Sequence, residues 1–216
     1  MRQPDWFQVH SENALDYFTH HKSLVVTVVA GLVVLGAIVW GWQLFKAKQN
    51  LAASQEFTKA LELYQSEKYR EAIQGFEIVK GNRWSRYAVL AHLYLTNSYL
   101  ATNDLDKAIA EGQRSVAATD PNSIYRQIAL VDLATAEEQK QQCKTAIDHY
   151  GEAEKIAGPL QGKALLGKAR CAEALGDAAT AISAYKEYLK GNPGSPYGVK
   201  VAELDAKSTA PGTARK

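Results

Sequence analysis

Gly162 to Ala169 reads GKALLGKA, which sets Gly162, Gly167 and Lys168 at the spacing of a phosphate-binding loop. In such a loop the residue after the lysine is Ser or Thr, whose hydroxyl holds magnesium, and Ala169 has none. The stretch also lacks a preceding strand, so its small residues are expected to serve helix packing. His10, His20 and His21 cluster near the start while His92 and His149 stand apart, and neither HExxH nor paired-cysteine spacing accompanies them. No metal or cofactor is expected. Cys143 and Cys171, 28 positions apart, form neither a metal motif nor a disulfide framework. Glu137, Glu138, Glu152 and Glu154 have the look of solvated helix faces. These residues give no catalytic constellation, and the chain is not expected to be an enzyme.

The elements that hold these residues set the function class. The chain has 216 residues, 46% of them hydrophobic, enough for one ordinary domain and an appendage. Its 25 basic and 23 acidic residues leave a net charge of +2, without the clustered Lys and Arg that nucleic acid requires. Nucleic acid is not an expected partner.

Most of the apolar excess lies near the start. No charge interrupts the 23 residues between Lys22 and Lys46, SLVVTVVAGLVVLGAIVWGWQLF. As a helix this stretch would run about 35 Å, enough to cross a hydrocarbon core with some tilt. Trp40 and Trp42 near its end, with Lys46 and Lys48 beyond, suit the membrane interface. The leader of 22 residues carries Asp5, Glu12 and Asp16, unlike the short basic leader of a cleaved signal, so an uncleaved anchor is expected. Arg2 and Lys22 before the span, against Lys46, Lys48 and Lys59 after it, leave the orientation open.

Beyond the anchor the apolar period is helical throughout. YREAIQGFEIV, LDKAIAEGQRSV, CKTAIDHYGEA and AATAISAYKEYL each place Ala-Ile three residues after the opening residue. Ala72, Ala108, Ala146 and Ala181 anchor this repeat at intervals of 36, 38 and 35 residues. A small residue is needed where two short antiparallel helices approach, and these alanines supply it on the second helix of each pair. Ala60, Thr96, Ala134 and Ala169, each twelve residues earlier, fill the same role on the first helices. Four residues after each alanine an aromatic is favoured, met by Phe76, Tyr150 and Tyr185 but by Gly112 in the second copy, which predicts looser packing there. Asp120-Pro121, Gly158-Pro159 and Asn192-Pro193 are expected to stop the second helices.

Small residue, aliphatic, aromatic and terminal proline at these offsets resemble the tetratricopeptide repeat (TPR) family, most closely in YLTNSYLATNDLDKAIA and ARCAEALGDAATAISAY. The whole layout resembles the bacterial ancillary Sec-translocon subunit family: a tail ending YFTHHKSL, one span, the exit WGWQLFKAKQNLAASQEF, then degenerate repeats. That resemblance implies a single-pass protein of the bacterial inner membrane with periplasmic repeats. The implied partners are translocon subunits, chaperones or emerging polypeptides, with membrane lipid around the N-terminal helix.

The expected fold is therefore all-α, a single transmembrane helix followed by a TPR-like α-solenoid of helix pairs. Residues 1–22 are a tail, 23–45 the transmembrane helix, 46–206 about four degenerate repeats plus a capping helix, and 207–216 a flexible tail. Stacked pairs leave their first helices lining a groove. Counting from the anchoring alanines places Leu93, Asn97 and Leu100 of the second repeat on that face, Val131, Thr135 and Glu138 of the third, and Leu166, Arg170 and Glu173 of the fourth. Leu93 stands where repeats that clamp a chaperone's C-terminal carboxylate carry lysine, so that ligand class is not expected. A mixed groove suits extended, partly apolar polypeptide or a partner's helix. A permanent scaffold in an envelope or division complex is the alternative. Cys143 begins the second helix of the third pair and Cys171 lies on the first helix of the fourth, a placement open to a disulfide and to two free thiols.

Overall fold

The computed structural model describes residues 22–82 and 84–209, and all regular structure among them is helical. Residues 1–21 of the expected tail, with its three histidines, and the last seven residues lie outside the described residues, and Lys22 opens the first helix. The chain divides into two compact units, one ending at Gln49 and the other beginning at Asn50. In the first, helix α1 (Lys22–Gln65) begins with a stretch long and apolar enough to cross a membrane. Leu32, Leu35, Ile38 and Trp40 on it are exposed, as lipid-facing side chains would be. Lys46 Nζ sits 5.7 Å from the centre of the Trp42 ring.

In the second unit the end of α1 pairs with α2 (Tyr69–Gly81). The succeeding pairs are α3 (Tyr87–Ala101) with α4 (Leu105–Ala118), α5 (Ile124–Gln139) with α6 (Cys143–Ala153), and α7 (Gln161–Ala174) with α8 (Ala178–Gly191). Helix α9 (Tyr197–Thr209) lies against α8. It extends past the expected boundary at residue 206, with no breaker before Pro211 to stop it earlier. Besides packing on its sequence neighbours, α3 touches α5 and α5 touches α7, so the first helices form an inner row.

Eight small residues close the pairs. Ala60, Ala134, Ala169, Ala72, Ala108, Ala146 and Ala181 have no exposed surface, and Thr96 has 1%. So tight is the first pair that a Cβ on Gly75 would come within 2.7 Å of the Ala60 Cβ.

Each pair turns through the same device. Glu67, Asn103, Gln141 and Gly176 adopt positive φ of 60°, 58°, 62° and 75°, each five residues before the anchoring alanine. The N–H of each donates three residues back and the next N–H five residues back, at 2.8–3.1 Å, which satisfies carbonyls left open at the helix end. Three of the four residues are not glycine and bear a left-handed cost of roughly 1–2 kcal/mol each.

The position four residues after each anchoring alanine is solved differently in each pair. Phe76 packs against Phe57 and Tyr64 and stacks on Tyr94 at 5.1 Å. At Gly112 the expectation of loose packing is corrected: the glycine is buried, and a Cβ there would come within 3.1 Å of the Leu133 Cβ on α5. The neighbouring pair fills the gap. Tyr150 and Tyr185 are 1% and 2% exposed, and their hydroxyls donate to Glu138 and Glu173 at 2.7 and 2.6 Å.

Of the four carboxylates expected on solvated faces, Glu152 is exposed, but Glu137, Glu138 and Glu154 are not. Glu137 is buried against His149 Nδ1 at 2.8 Å, and that hydrogen bond raises the His149 pKa against the opposing effect of burial. Glu154 pairs with Lys168 at 2.7 Å. Glu111, 4% exposed, accepts from Lys80 at 3.0 Å and meets His92 Nδ1 at 2.7 Å. Burial pushes its carboxyl up, but these hydrogen bonds prevail and hold it at about 2. Nor does α6 run to Gly158-Pro159. It ends at Ala153, where the fully buried Gln127 side chain donates to the Ala153 and Ile156 carbonyls and accepts from the Leu160 N–H.

Gly167 lies under the Tyr150 ring, and a Cβ there would come 2.3 Å from Tyr150 Cζ. Alanine ordinarily favours a helix interior over glycine by about 1 kcal/mol. Here Gly167→Ala is expected to destabilise by about 1–3 kcal/mol, measured as a lower urea midpoint. Gly191→Ala, facing open space, is expected to leave the midpoint unchanged or slightly raised. A stabilising Gly167→Ala would contradict the placement of the Tyr150 ring.

Candidate functional site

The inner row of first helices bears a cleft of about 360 Å³ lined by Phe57 of α1, Leu90, Leu93, Tyr94 and Asn97 of α3, and Tyr125 and Ile128 of α5. A second cavity of about 320 Å³ adjoins it across Leu90 and Tyr125 and is closed by Arg86, Val89, Ala118, Thr119, Asp120 and Ser123. Together they form an apolar track with polar groups at one end. Tyr125, which lines both, is 49% exposed, so the rim offers a large side chain to whatever enters.

Of the nine residues expected on this face, Leu93 and Asn97 line the cleft. Leu93 is only 5% exposed and so forms its floor. Leu100 packs on the core of the first two pairs, and Leu166 on that of the last pair and α9. Val131 is a correction: it is fully buried in the core shared by α5, α6 and α7, because neighbouring first helices pack on each other and close off that part of the face.

Thr135, Glu138 and Arg170 do come together. The Arg170 guanidinium grips Glu138 with two hydrogen bonds, Nε to Oε1 at 2.7 Å and Nη2 to Oε2 at 2.9 Å. Thr135 Oγ1 lies 3.2 Å from the Tyr150 hydroxyl that donates to the same carboxylate. Glu173 is held by Tyr185 and by Lys200 of α9 at 2.8 Å. Burial pushes the Glu173 carboxyl up, but the hydrogen bonds from Lys200 and Tyr185 prevail and hold it below its usual range. These residues bind the pairs together and are committed to one another. The open cleft therefore lies at the α1–α3–α5 end of the row.

Leu90, Tyr94, Tyr125 and Ile128 were not anticipated. Leu90 and Ile128 fall three residues before Leu93 and Val131, one helical turn away on the same face, and that offset was the signal available in the sequence.

Asn97 decides what the floor accepts. Its Nδ2 donates to Asp132 Oδ2 at 2.7 Å and to the Leu93 carbonyl at 3.2 Å. Asp132 is 5% exposed; burial raises its carboxyl above the usual range, against the Asn97 hydrogen bond. With both N–H groups used, Asn97 can offer a ligand its amide oxygen, which accepts from an N–H. Asn97 thus has no N–H left for a carboxylate terminus, whereas it can accept from the N–H of an extended backbone.

GKALLGKA lies wholly inside α7, and from Ala164 onward its backbone N–H groups are spent on the helix ladder, so the stretch does not form the loop that wraps a phosphate. Among the described residues no group of three or more His, Cys, Asp or Glu could hold a metal ion.

A family model described as a tetratricopeptide repeat-like domain matches residues 16–206, and the chain belongs to that family. No curated protein matches it in sequence. Among solved structures, a MamA crystal structure is 19% identical, covering 68% of this chain and 88% of that one, with a TM-score of 0.56. YrrB, described as a TPR protein with an unusual peptide-binding site, is 16% identical over 71% of this chain and 76% of its own, with a TM-score of 0.59. Pseudomonas aeruginosa pilF is 19% identical over 72% and 66%, with a TM-score of 0.55. These likenesses establish the solenoid fold. The chain is a TPR-type protein-interaction module.

Val131→Asp and Leu93→Asp would each bury an unpaired carboxylate, and each is expected to cost about 3 kcal/mol or more. Tyr125→Ser, at the exposed rim, should change stability by less than about 1 kcal/mol. Chemical unfolding of the three variants checks this. Equal losses in all three would contradict the division into floor and rim.

Proposed function

We propose that this member of the tetratricopeptide repeat-like family is a membrane-anchored protein-binding module that receives extended, partly apolar polypeptide in the α1–α3–α5 cleft. The observation that carries the reading is the cleft itself: aromatic and aliphatic walls, an exposed rim at Tyr125, and a floor whose Asn97 spends its N–H groups on Asp132 and Leu93 and keeps its amide oxygen for a ligand. YrrB shares the fold and is described as having an unusual peptide-binding site, which supports peptide as the class of ligand.

The tail, span and repeats, with residues 23–45 as the membrane segment and 46–206 as the solenoid, support a narrower reading. It is an ancillary factor at the Sec translocon of a bacterial inner membrane. The repeats face the periplasm, and the partners are emerging secreted or envelope proteins and the chaperones that receive them. A covalent anchor confines the module to the membrane surface, so a weak contact acts at raised effective concentration.

A reporter fused after Lys216 and active only outside the cytoplasm tests the orientation, with an active fusion expected. In the same membranes, Tyr125→Asp and Ile128→Asp should reduce recovery of bound polypeptide several-fold at unchanged protein level. An inactive fusion would remove the periplasmic reading. Undiminished recovery would remove the cleft. Recovery of one partner in fixed stoichiometry in detergent, insensitive to both substitutions, would favour a permanent envelope scaffold.

A further inference from the structure

Cys143 is the first residue of α6 and Cys171 lies within α7, the two helices that join the third pair to the fourth. They are 8% and 0% exposed, both in the core shared by α5, α6 and α7. Their sulfurs face each other at 2.6 Å, closer than the roughly 3.5–4.0 Å at which carbon atoms rest in contact. A shift of about half an ångström brings them to the 2.03–2.05 Å of a bond. Burial, with the neighbouring Cys143, pushes the Cys171 thiol well above its ordinary pKa, so a charged thiolate is not what holds the pair.

We propose that Cys143 and Cys171 form a disulfide that staples the third helix pair to the fourth. Two thiols lose two protons and two electrons. The oxidant is the disulfide of a thiol–disulfide exchange protein, whose S–S bond is reduced to two thiols. One cysteine attacks that disulfide as its thiolate, forming a mixed disulfide, and the other displaces the reduced partner. Because the folded core encloses both sulfurs, exchange takes place while α6 and α7 are still open, as the chain folds. In a stack where each repeat rests only on its neighbours, a cross-link at one junction stops the end of the row from parting there. It also fixes Arg170, the residue beside Cys171, against Glu138.

Formation in the cell rests on the periplasmic reading above, since disulfides persist in oxidising compartments. The experiment separates the two claims. Cells bearing the full chain are quenched in acid, and the protein is denatured, alkylated with N-ethylmaleimide and digested with trypsin. The expected product, without reductant, is residues 141–144 linked to residues 171–186, with no alkyl group on either cysteine. Two alkylated cysteines in a chain whose C-terminal reporter is outside the cytoplasm would overturn the disulfide.

If the reporter is inside, the orientation has failed and the pairing is decided on purified full chain. Reduced, unfolded and refolded with oxidised glutathione, it should yield the same linked peptides, and their absence would overturn the proposal. Reductant should also lower the Tm of the oxidised chain by about 5–10 °C and leave a Cys143→Ser/Cys171→Ser variant unmoved. An equal effect of reductant on both would count against the bond.

Discussion

Two helices of a pair can approach closely only where neither carries bulk, and the rest of the solenoid depends on that approach. Ala60 with Ala72, Thr96 with Ala108, Ala134 with Ala146 and Ala169 with Ala181 leave the backbones near enough for the flanking side chains to close a core. The left-handed turn five residues before each second-helix alanine brings the chain back at the matching place. Given that spacing, consecutive pairs bury a continuous core, and the first helices come to lie in one inner row.

Around this fixed framework the repeats differ in what fills the remaining space, and those differences locate the cleft. In the third and fourth pairs a tyrosine hydroxyl reaches a glutamate of the first helix, and Arg170 or Lys200 completes the charge. That end of the row is tied up in its own hydrogen bonds. In the first two pairs the equivalent positions hold Tyr64 with Phe76, and Leu100 with Gly112, which carry no charge. The surface there stays apolar, and the cleft between Phe57, Tyr94 and Ile128 opens in it.

Much of this was legible in the sequence, because the small residues repeat at a nearly constant interval and the anchor stretch is uninterrupted by charge. The helix pairs, their order and the buried alanines follow from those two signals. The turn residues were only partly visible, since Gly176 and Asn103 are types that favour the left-handed conformation while Glu67 and Gln141 hold the same geometry with side chains that do not advertise it. Spacing put Val131 on the right face of α5 but could not reveal that the core it shares with α6 and α7 buries it. Gln127, a polar residue that ends α6 from inside the core, also lay beyond any local pattern. Contacts between pairs decide such positions, and a single-copy motif does not encode them.

The central claim is that polypeptide is received by the inner row at its α1–α3–α5 end. The most direct measurement is a photocross-linking scan in intact membranes, with the reactive side chain placed in turn at Tyr125, at Ile128 and at Gln113, an exposed position on α4. Adducts to polypeptide from Tyr125 and Ile128 and none from Gln113 are the predicted result. Adducts from Gln113 alone, or equally from all three positions, would contradict it.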